Sequence, residues 1–497
     1  MPRIILIFYY DFLPTNSLPF PETNILKDKQ TIIFGGGLAG LSAGYVLSKA
    51  RLPVMVIECG SEVGGLSRTI SHGDYRFDLG GHRFHTKNKE TEQFVKNILK
   101  GDYLTVNRKS KIFMKNRFFN YPLKPSNALI GMGIPTTIKA VSDYGKERIK
   151  KVFRDPKNIS LEDWVVAHFG RTMFTLYFKE YSEKVWGIEC NRISEEWVSE
   201  RIRGLSLGVA IKNAFKLGGN NVNTLVDEFI YPPLGIGQIP DNLSMAISET
   251  NQVITGTKIN RVCHNGSEIT NIFTEKSNLL AGVEGSEFIS SIPITNLIKM
   301  LDPAPPDDIL EASSQLKYRD IVIVTIMLDR ERVTDLTWMY LPEQSMPLGR
   351  IHEPKNWSSH MAPEGKTHIV AEYFCFKGDD IWNSSDEELA AMTVAQLEKL
   401  ELIHKHEVID SCIVRTPKAY PLFEVGYAKY YSKILRYLEN FRNLHITGRT
   451  GRFKYYNMDR AIESGIEAAE DVLKSTIKKN DIRSQESDIM SLLTSVN

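Results

Sequence analysis

The stretch TIIFGGGLAGLSAGYVLSKA, residues 31–50, decides the fold, and the apolar run VMVIE at 54–58 follows it. A short β-branched run leads into three glycines and then into a small-residue pattern typical of a helix, while the second run predicts another buried strand. Strand, glycine turn, helix and strand make one βαβ unit of a doubly wound sheet. We therefore predict an α/β fold built on a Rossmann-like domain.

The glycines of this stretch have the spacing of a dinucleotide site. Gly35, Gly37 and Gly40 occupy the three glycine positions of G-x-G-x-x-G. The first allows the tight turn, the second lets a pyrophosphate approach the backbone, and the third lets the helix pack against the strand. The helix N-terminus, with Leu38 and Ala39, then turns its N–H groups toward phosphates. The alternative is that the glycines serve only a tight connection.

An acidic residue and a second glycine pair follow. Glu58 ends the second strand, 18 residues after Gly40, where a carboxylate can accept hydrogen bonds from a ribose diol. The next segment, GSEVGGLSRT, contributes Gly64, Gly65, Leu66, Ser67 and Arg68. A guanidinium there can hold a diphosphate through paired N–H donors.

The composition narrows the class of protein. The chain has 497 residues, and 61 Lys and Arg stand against 60 Asp and Glu, which gives a net charge of +1. This balance argues against a protein built mainly to grip nucleic acid. A hydrophobic content of 42% and a charged content of 24% exclude a disordered or collagen-like chain.

The cysteines and the N-terminus bear on the compartment. The five cysteines are scattered without C-x-x-C spacing, which favours a reducing compartment and no structural zinc. No apolar run reaches the roughly 18 residues of a membrane span. The run IILIFYYDFL, residues 4–13, faintly resembles a signal-peptide core, but Asp11 interrupts it. We predict a cytoplasmic protein with no membrane span and regard a signal peptide as the weaker alternative.

Two distant segments share a family resemblance. GSEVGGLSRT resembles the FAD-binding branch of flavoproteins that includes the amine oxidases, protoporphyrinogen oxidases and UDP-galactopyranose mutases. GRTGRFKYYNMDRAIESG, residues 448–465, resembles the C-terminal FAD signature of the same branch. The resemblance implies FAD as cofactor, bound additionally by Gly448, Arg449, Asn457, Met458 and Asp459. Asn457 stands where that signature usually has Asp, which removes one negative charge beside the flavin.

Further segments resemble the UDP-galactopyranose mutases in particular. FDLGGHRFHTKNKE, residues 77–90, is similar to their G-x-H-x-F-H-T motif, which packs against the flavin ring and here supplies Gly81, His82 and His85. Two histidines at this spacing could suggest a metal site, but no acidic or cysteine partner recurs at ligand spacing. We predict no metal.

The aromatic segment FTLYFKEYSEKVWGIE, residues 174–189, is similar to the mutase sequence F-F-K-G-Y-T-x-K-Q-W-G. The resemblance implies that Tyr177, Phe178 and Tyr181 stack on a uracil and that Trp186 lies near the sugar. A base offers a π-face to such rings. The alternative is that aromatic residues at helical spacing line a core.

Arginines and tyrosines complete the implied substrate site. Arg201 and Arg350 match the two arginines that clamp the diphosphate in mutases, although ordinary surface ion pairing is the alternative for each. Tyr420 in KAYPLFE and Tyr455 in GRFKYYNMD match tyrosines that contact the diphosphate. Glu372 in AEYF matches the K-E-Y-S segment, so the resemblance also places it with the substrate.

The implied activity is a flavin-dependent isomerisation. UDP-galactopyranose, or a related nucleotide-linked pyranose, would interconvert with its furanose form through an adduct between the sugar and N5 of reduced FAD, with Arg201, Arg350 and His82 as catalytic residues. Such an enzyme would supply galactofuranose for cell-surface polysaccharide. The first alternative is an FAD oxidase or desaturase acting on a porphyrin, amine or isoprenoid. The second is a non-catalytic protein that retains FAD. A nucleotide sugar is the expected partner, without nucleic acid, and a homo-oligomer is left open.

The same resemblance implies a discontinuous cofactor domain, an inserted helical domain and an antiparallel β-sheet substrate domain. The predicted ranges are an N-terminal extension (1–29), the FAD-binding domain (30–100, 232–300 and 436–478), the helical domain with a mobile loop at KLGGNN (125–231), the substrate domain (101–124 and 301–435) and a polar tail (479–497).

Overall fold

A computed structural model describes residues 30–114, 116–121, 134–153, 160–197, 228–275 and 286–481. Four predictions lie wholly or mostly outside these residues: the role of Arg201, the N-terminal extension, the KLGGNN loop and the polar tail, of which only residues 479–481 are described.

Nineteen strands are formed by the described residues. They are β1 (Thr31–Phe34), β2 (Val54–Ile57), β3 (Thr69–His72), β4 (Tyr75–Asp78), β5 (Leu104–Asn107), β6 (Ser110–Met114), β7 (Arg117–Tyr121), β8 (Glu228–Tyr231), β9 (Gln252–Ile254), β10 (Ile259–His264), β11 (Ile269–Thr274), β12 (Glu287–Ser290), β13 (Leu301–Asp302), β14 (Tyr318–Leu328), β15 (Trp338–Tyr340), β16 (Arg350–His352), β17 (Thr367–Cys375), β18 (Val408–Pro421) and β19 (Leu444–Ile446).

Helices connect and cover these strands. They are α1 (Leu38–Lys49), α2 (Lys89–Ile98), α3 (Ile134–Phe153), α4 (Leu161–Phe169), α5 (Arg171–Met173), α6 (Lys179–Trp186), α7 (Gln238–Ser248), α8 (Ile294–Met300), α9 (Asp307–Gln315), α10 (Asp380–Asn383), α11 (Asp386–Lys399), α12 (Tyr427–Leu438), α13 (Gly448–Gly451) and α14 (Met458–Asp481).

The predicted doubly wound unit is a five-stranded parallel sheet. Its order is β19-β12-β1-β2-β9, with β1 at the centre between β12 and β2. Apolar side chains cover both faces, because Ile33 belongs to one core cluster and Ile32 to the other. Burial on both faces is what a parallel sheet requires. The α/β class predicted from residues 31–58 is confirmed.

Distant parts of the chain meet in this sheet. The strand order brings β19, near the end of the described chain, beside β12, and the long helix α14 packs along α1. The two helices approach closely, since a Cβ on Gly465 would lie 2.1 Å from the carbonyl oxygen of Ala39. The C-terminal segment therefore closes the domain that residues 31–58 begin.

The second large element is a seven-stranded sheet of order β18-β14-β17-β16-β15-β6-β7. Its neighbours are antiparallel except for β15 and β6, which run parallel. All eleven residues of β14 are buried, because α11 covers one face of the sheet and β3 and β4 contribute to the core on the other. Arg350, Glu372 and Tyr420 lie on β16, β17 and β18.

The helical region differs in detail from the sequence reading. Between α5 and α6 the backbone widens into a π-helical turn, Phe174–Phe178, a feature often found at functional sites. Residues 228–231, at the end of the range predicted for the helical domain, form β8 and pair with β5. Their alternating burial is that of a half-buried strand, a signal too short to outweigh the surrounding helical pattern.

Candidate active site

The glycine turn after β1 has the geometry that its sequence requires. Gly35 has a φ of +97°, and a Cβ on Gly40 would lie 2.0 Å from the Gly35 carbonyl oxygen. Gly37, by contrast, has open space where its Cβ would be. The first intrahelical bond runs from the Leu41 N–H to the Gly37 oxygen at 2.9 Å, so the preceding N–H groups of α1 are not used within the helix. They are free to bind an anion.

The Glu58 carboxylate binds the backbone of the same turn. One carboxylate oxygen accepts the Gly36 N–H at 2.7 Å, and the other accepts the Gly60 N–H at 2.7 Å. The carboxylate thus joins the first glycine turn to the segment that follows β2. Carboxylate oxygens can accept further hydrogen bonds, so ribose binding by Glu58 stays a prediction.

The second glycine pair lies against the first turn. The Gly64 N–H donates to the Gly36 oxygen at 2.7 Å, and Gly65–Ser67 form one 3₁₀ turn in which Ser67 is buried and Leu66 faces the core under the large sheet. The next side chain, Arg68, has a buried Nε without a hydrogen-bond partner. A buried unsatisfied donor needs a partner, and a diphosphate oxygen beside Gly37 would provide one.

The C-terminal signature reaches the same place. Gly448 has a φ of +76°, its N–H donates to Ser464 Oγ at 3.1 Å, and a Cβ there would lie 3.1 Å from that of Ala39. Helix α14 begins at Met458, so its N-terminal N–H groups follow Asn457, which is exposed. Burial raises the pKa of the Asp459 carboxyl. Both ends of the cofactor domain thus converge beside the N-terminus of α1, as FAD binding requires.

The Gly80–His82 turn is the next wall of the site. Gly80 has a φ of +107°, and the Gly81 N–H donates to Glu372 Oε1 at 3.1 Å. The His82 Nδ1 is buried without a hydrogen-bond partner. Burial lowers the pKa of His82 to about 3, helped by the positive charges of Arg449 and Arg350. The imidazole is therefore neutral at physiological pH and has an unused polar atom.

Arg350 and Glu372 form a buried ion pair. Nε lies 2.7 Å from Oε1 and Nη2 lies 2.5 Å from Oε2, across neighbouring strands in register. Burial alone would lower the pKa of Arg350, but the carboxylate raises it well above its ordinary value. The side chains are 17% and 0% exposed. Glu372 thus lies behind Arg350 and supports the guanidinium, and its predicted place in the substrate site stays a prediction. This pair is buried and so differs from the surface ion pairing that was the alternative for Arg350, and the predicted contact of Arg350 with a diphosphate stays a prediction.

Tyr420 and Tyr455 stack in front of this pair. Their ring centroids lie 6.0 Å apart at an interplanar angle of 15°, and the Arg449 guanidinium lies 5.2 and 5.3 Å from them. Arg449 donates to the backbone oxygens of Tyr456, at 2.6 Å, and of Ala419, at 3.3 Å. Burial raises the pKa of Tyr420 to about 12, so its phenol remains a proton donor.

The aromatic residues of the segment 174–189 pack against different parts of the molecule. The Tyr181 ring meets Tyr340 edge-on at 5.7 Å. Trp186 is 1% exposed and lies beneath Tyr455 at 6.0 Å and Tyr420 at 6.5 Å. Its ring supports the two tyrosines from below, and its predicted position near the sugar stays a prediction.

The other two aromatic residues, Tyr177 and Phe178, are partly buried and pack against the helical core cluster, and their predicted stacking on a uracil stays a prediction. Phe178 packs on Phe169 at 5.4 Å, and Tyr177 belongs to the same helical cluster, where burial raises its pKa. His85 lies half-buried after the glycine turn, and burial lowers its pKa.

Two residues of the site escaped sequence reasoning. Tyr340 pairs in register with Arg350, and His352 stacks on Trp357 at 5.1 Å with its Nδ1 3.8 Å from Glu372 Oε1. Strand pairing brings Tyr340 and His352 to the site, so no motif of residues that are neighbours in the sequence identifies them with certainty. The histidine two positions after Arg350 was the available signal, because residues at that spacing share a face of a strand.

Two classes of feature are missing from the described part of the chain. No group of three or more His, Cys, Asp or Glu side chains there could hold a metal ion. None of the helices of these residues combines the length and the apolar character that a membrane crossing demands.

Sequence comparisons point to flavoproteins. The profile of the family described as flavin containing amine oxidoreductase matches residues 38–473. A coproporphyrinogen III oxidase of Bacillus subtilis is 22% identical over 488 residues, which cover 90% of this chain and 98% of that protein. An L-amino-acid oxidase of Crotalus adamanteus is 24% identical over 294 residues, and the chain spans about half of its length, 54%.

Solved structures share the fold. A reduced UDP-galactopyranose mutase superposes with a TM-score of 0.77 at 20% identity, covering 90% of this chain and 96% of that one. A putative protoporphyrinogen oxidase from Exiguobacterium gives 0.72 at 15% identity, covering 90% and 100%. At these identities the likeness establishes the fold alone, and both neighbours have the architecture described above.

Proposed function

The chain belongs to the family of flavin-containing amine oxidoreductases, and on that premise we propose that it interconverts the pyranose and furanose forms of a nucleotide-linked sugar. UDP-galactose is the first candidate substrate. The residues that would bind its diphosphate would lie beside the FAD. One observation carries the proposal: two guanidinium groups and three tyrosine rings, Arg350, Arg449, Tyr340, Tyr420 and Tyr455, line one wall beside the Gly81–His82 turn.

FAD has a matching cradle. The open space at Gly37, the free N–H groups of α1 and the partnerless Nε of Arg68 suit a pyrophosphate. The Gly81 turn, the His82 Nδ1 and the start of α14 suit the flavin end. When bound and reduced, FAD would supply the electron pair that reacts at the anomeric carbon of the sugar.

The positive charge on this wall favours the binding of a diphosphate. The Arg350 charge is compensated by Glu372, whereas Arg449 donates to backbone carbonyls. Among the described residues, the uncompensated positive charge beside the two tyrosines is therefore that of Arg449. Charge-assisted hydrogen bonds from a guanidinium to phosphate oxygens are strong and directional, and the protonated Tyr420 phenol adds a donor.

An aromatic pair next to this wall suits a base. Tyr181 and Tyr340 meet edge-on, and an exposed ring face there would stack on a uracil, a contact worth about 1–3 kcal/mol per base. Holding the departing nucleotide at both the base and the diphosphate would make its return to the sugar effectively unimolecular. His82, neutral at working pH, would orient the reacting group through Nδ1 without adding charge.

The test is turnover by the reduced protein. The FAD-loaded chain is reduced with dithionite and incubated with UDP-galactopyranose, then with other UDP- and dTDP-sugars, while NMR follows the anomeric signals. We expect furanose to form without stoichiometric consumption of reductant. Stoichiometric oxidation of the flavin by the sugar, or no furanose from any of these sugars, contradicts the proposal.

An oxidase is the second candidate, because the likeness to the coproporphyrinogen III oxidase extends over 98% of that protein. Coproporphyrinogen is a large tetrapyrrole with four carboxylates, and saturated methylene bridges separate its pyrrole rings. Arg449 and Arg350 could bind its carboxylates, and the tyrosines could pack on its pyrrole rings. Oxygen consumption with coproporphyrinogen, measured in the same preparation, distinguishes this activity from the isomerisation, which consumes no oxygen.

A further inference from the structure

The Lys184 side chain on α6 is enclosed by carbonyl oxygens. Its Nζ lies 2.5 Å from the oxygen of Leu341, 2.8 Å from that of Met346 and 3.2 Å from that of Leu348. An ammonium group has three N–H donors and no acceptor, so three carbonyls satisfy it. The lysine thereby binds α6 to the loop of residues 341–349.

That loop joins two strands of the site wall. It runs from Tyr340 at the end of β15 to Arg350 at the start of β16, and these two residues pair in register. Tyr181 lies one turn before Lys184 on the same helix and packs on Tyr340. The lysine therefore holds together two walls of the proposed nucleotide cleft: the α6 wall with Tyr181 and the hairpin wall with Tyr340 and Arg350.

The C-terminal end of α6, where Lys184 lies, has a second anchor that uses the backbone. Arg319 on β14 donates to the carbonyl oxygens of Val185 at 3.0 Å and of Lys184 at 3.2 Å, a favourable place for a cation at a helix C-terminus. Gly187 ends the helix at a φ of +69°, and a Cβ there would lie 2.5 Å from the Arg319 Cζ. Because this anchor uses the backbone of residue 184, a change of the lysine side chain leaves it in place.

We propose that Lys184 is a positioning residue that sets the distance between the α6 wall and the Tyr340–Arg350 hairpin, and that the affinity for a nucleoside diphosphate depends on it. The inference rests on the proposed function, since the ligand it concerns is the nucleotide. Flavin binding should not depend on the lysine, because the cradle of the cofactor lies on other elements.

The charged groups that face Lys184 are few. Glu180 lies on its own helix and Glu343 on the opposing loop, and both favour the charged lysine. Burial has the larger effect and lowers the pKa of Lys184 to about 8. Above that pH the amine loses one of its three donors, so the attachment of the loop weakens without any mutation.

The experiment measures UDP binding to the full-length, FAD-loaded chain by the perturbation of the flavin absorbance. Lys184→Met is compared with the wild type, with Lys184→Arg, and with Lys179→Met, a matched change at an exposed lysine of the same helix. We expect Lys184→Met to weaken UDP binding on the order of tenfold or more and to retain FAD. Lys184→Arg should restore part of the affinity, and Lys179→Met should resemble the wild type.

The outcomes separate the two proposals. Equal UDP affinity in Lys184→Met and wild type overturns the positioning role, and so does loss of FAD together with UDP. Absence of any UDP effect on the wild-type spectrum overturns the proposed function itself. Where Lys184→Met does not fold, wild type and Lys184→Arg are compared at about pH 7 and about pH 9. We expect weaker binding at high pH in the wild type alone, and equal pH responses contradict the inference.

Discussion

Glu372 faces Arg350 across β16 and β17, and the carboxylate that binds the guanidinium at 2.7 and 2.5 Å also accepts the Gly81 N–H at 3.1 Å. One buried acid thus fixes both an arginine of the site wall and the glycine turn beside the flavin cradle. The turn that carries His82 has backbone hydrogen bonds of its own, but its two glycines impose little conformational restriction, so the carboxylate adds a further fixed point.

The first prediction concerns this acid. Glu372→Gln leaves the Arg350 charge buried and uncompensated, so we expect the free energy of unfolding to fall by about 3 kcal/mol. Urea denaturation followed by fluorescence measures it. Glu387→Gln, at an exposed position of α11, is the control and should change stability very little. Equal stability of Glu372→Gln and the wild type would show that the ion pair contributes nothing net.

The second prediction concerns Arg449. Arg449→Met removes the positive charge beside Tyr420 and Tyr455, and a lost charge-assisted hydrogen bond to a diphosphate should weaken UDP binding about tenfold or more. Titration of the flavin spectrum with UDP measures the change. Arg436→Met, on the exposed face of α12, controls for the loss of one positive charge. If both variants bind UDP equally well, Arg449 does not contact the nucleotide.

The third prediction concerns the open space at Gly37. A Cβ there meets no protein atom within 4 Å, so Gly37→Ala should fold normally, yet the methyl group would occupy the room that we assign to the FAD pyrophosphate. We expect the purified variant to contain much less FAD at an unchanged far-UV circular dichroism spectrum. Gly145→Ala, which also meets no atom, should keep its FAD. Full flavin content in Gly37→Ala would place the pyrophosphate elsewhere.

The fourth prediction concerns acid stability. Burial lowers the pKa of His82 and of His368 to about 3 and that of His352 well below its ordinary value. In the unfolded chain these histidines take up protons near pH 6.5, whereas in the folded chain they stay neutral at that pH. Their contribution to the free energy of unfolding is therefore fully present above pH 6.5 and is lost as the pH falls toward 3. At about pH 5 each such histidine should cost about 2 kcal/mol.

His352→Phe tests this sign, because phenylalanine keeps the stacking on Trp357 but cannot take up a proton. We expect a smaller loss of unfolding free energy between about pH 7 and about pH 5 than in the wild type. His360→Phe, at an exposed histidine, should leave the loss unchanged. An identical pH dependence of His352→Phe and the wild type would mean that His352 is protonated in the folded protein.

Much of the fold could be read from short segments. The glycine spacing at 35, 37 and 40 predicted a turn that the structure has, because a left-handed φ and a 2.0 Å approach tolerate no other residue. The apolar runs at 31–34 and 54–57 predicted neighbouring buried strands for a similar local reason. The short strand β8 escaped, since its pairing with β5 joins residues more than a hundred positions apart.

The candidate site was only partly visible in the sequence. The motif containing Tyr181 and Trp186 predicted aromatic residues near a ligand, but helical spacing cannot tell which face meets the cleft and which meets the core. The structure turns Tyr181 toward Tyr340 and buries Trp186 under Tyr420 and Tyr455. The packing of α6 determines which residue faces the cleft and which faces the core.

The amino-acid sequence by itself determined the glycine turn and the parallel sheet, because each depends on residues that are close along the chain and on backbone conformations that few residues allow. The identity of the cofactor came instead from the family resemblance of two distant segments. Only the tertiary structure decided that Glu372 neutralises Arg350, that Arg449 carries the net positive charge of the wall and that Lys184 joins two of its sides. These relationships depend on strand register and on the docking of a helix against a loop. Both are set by the sum of many weak contacts across the molecule, and no local pattern encodes that sum.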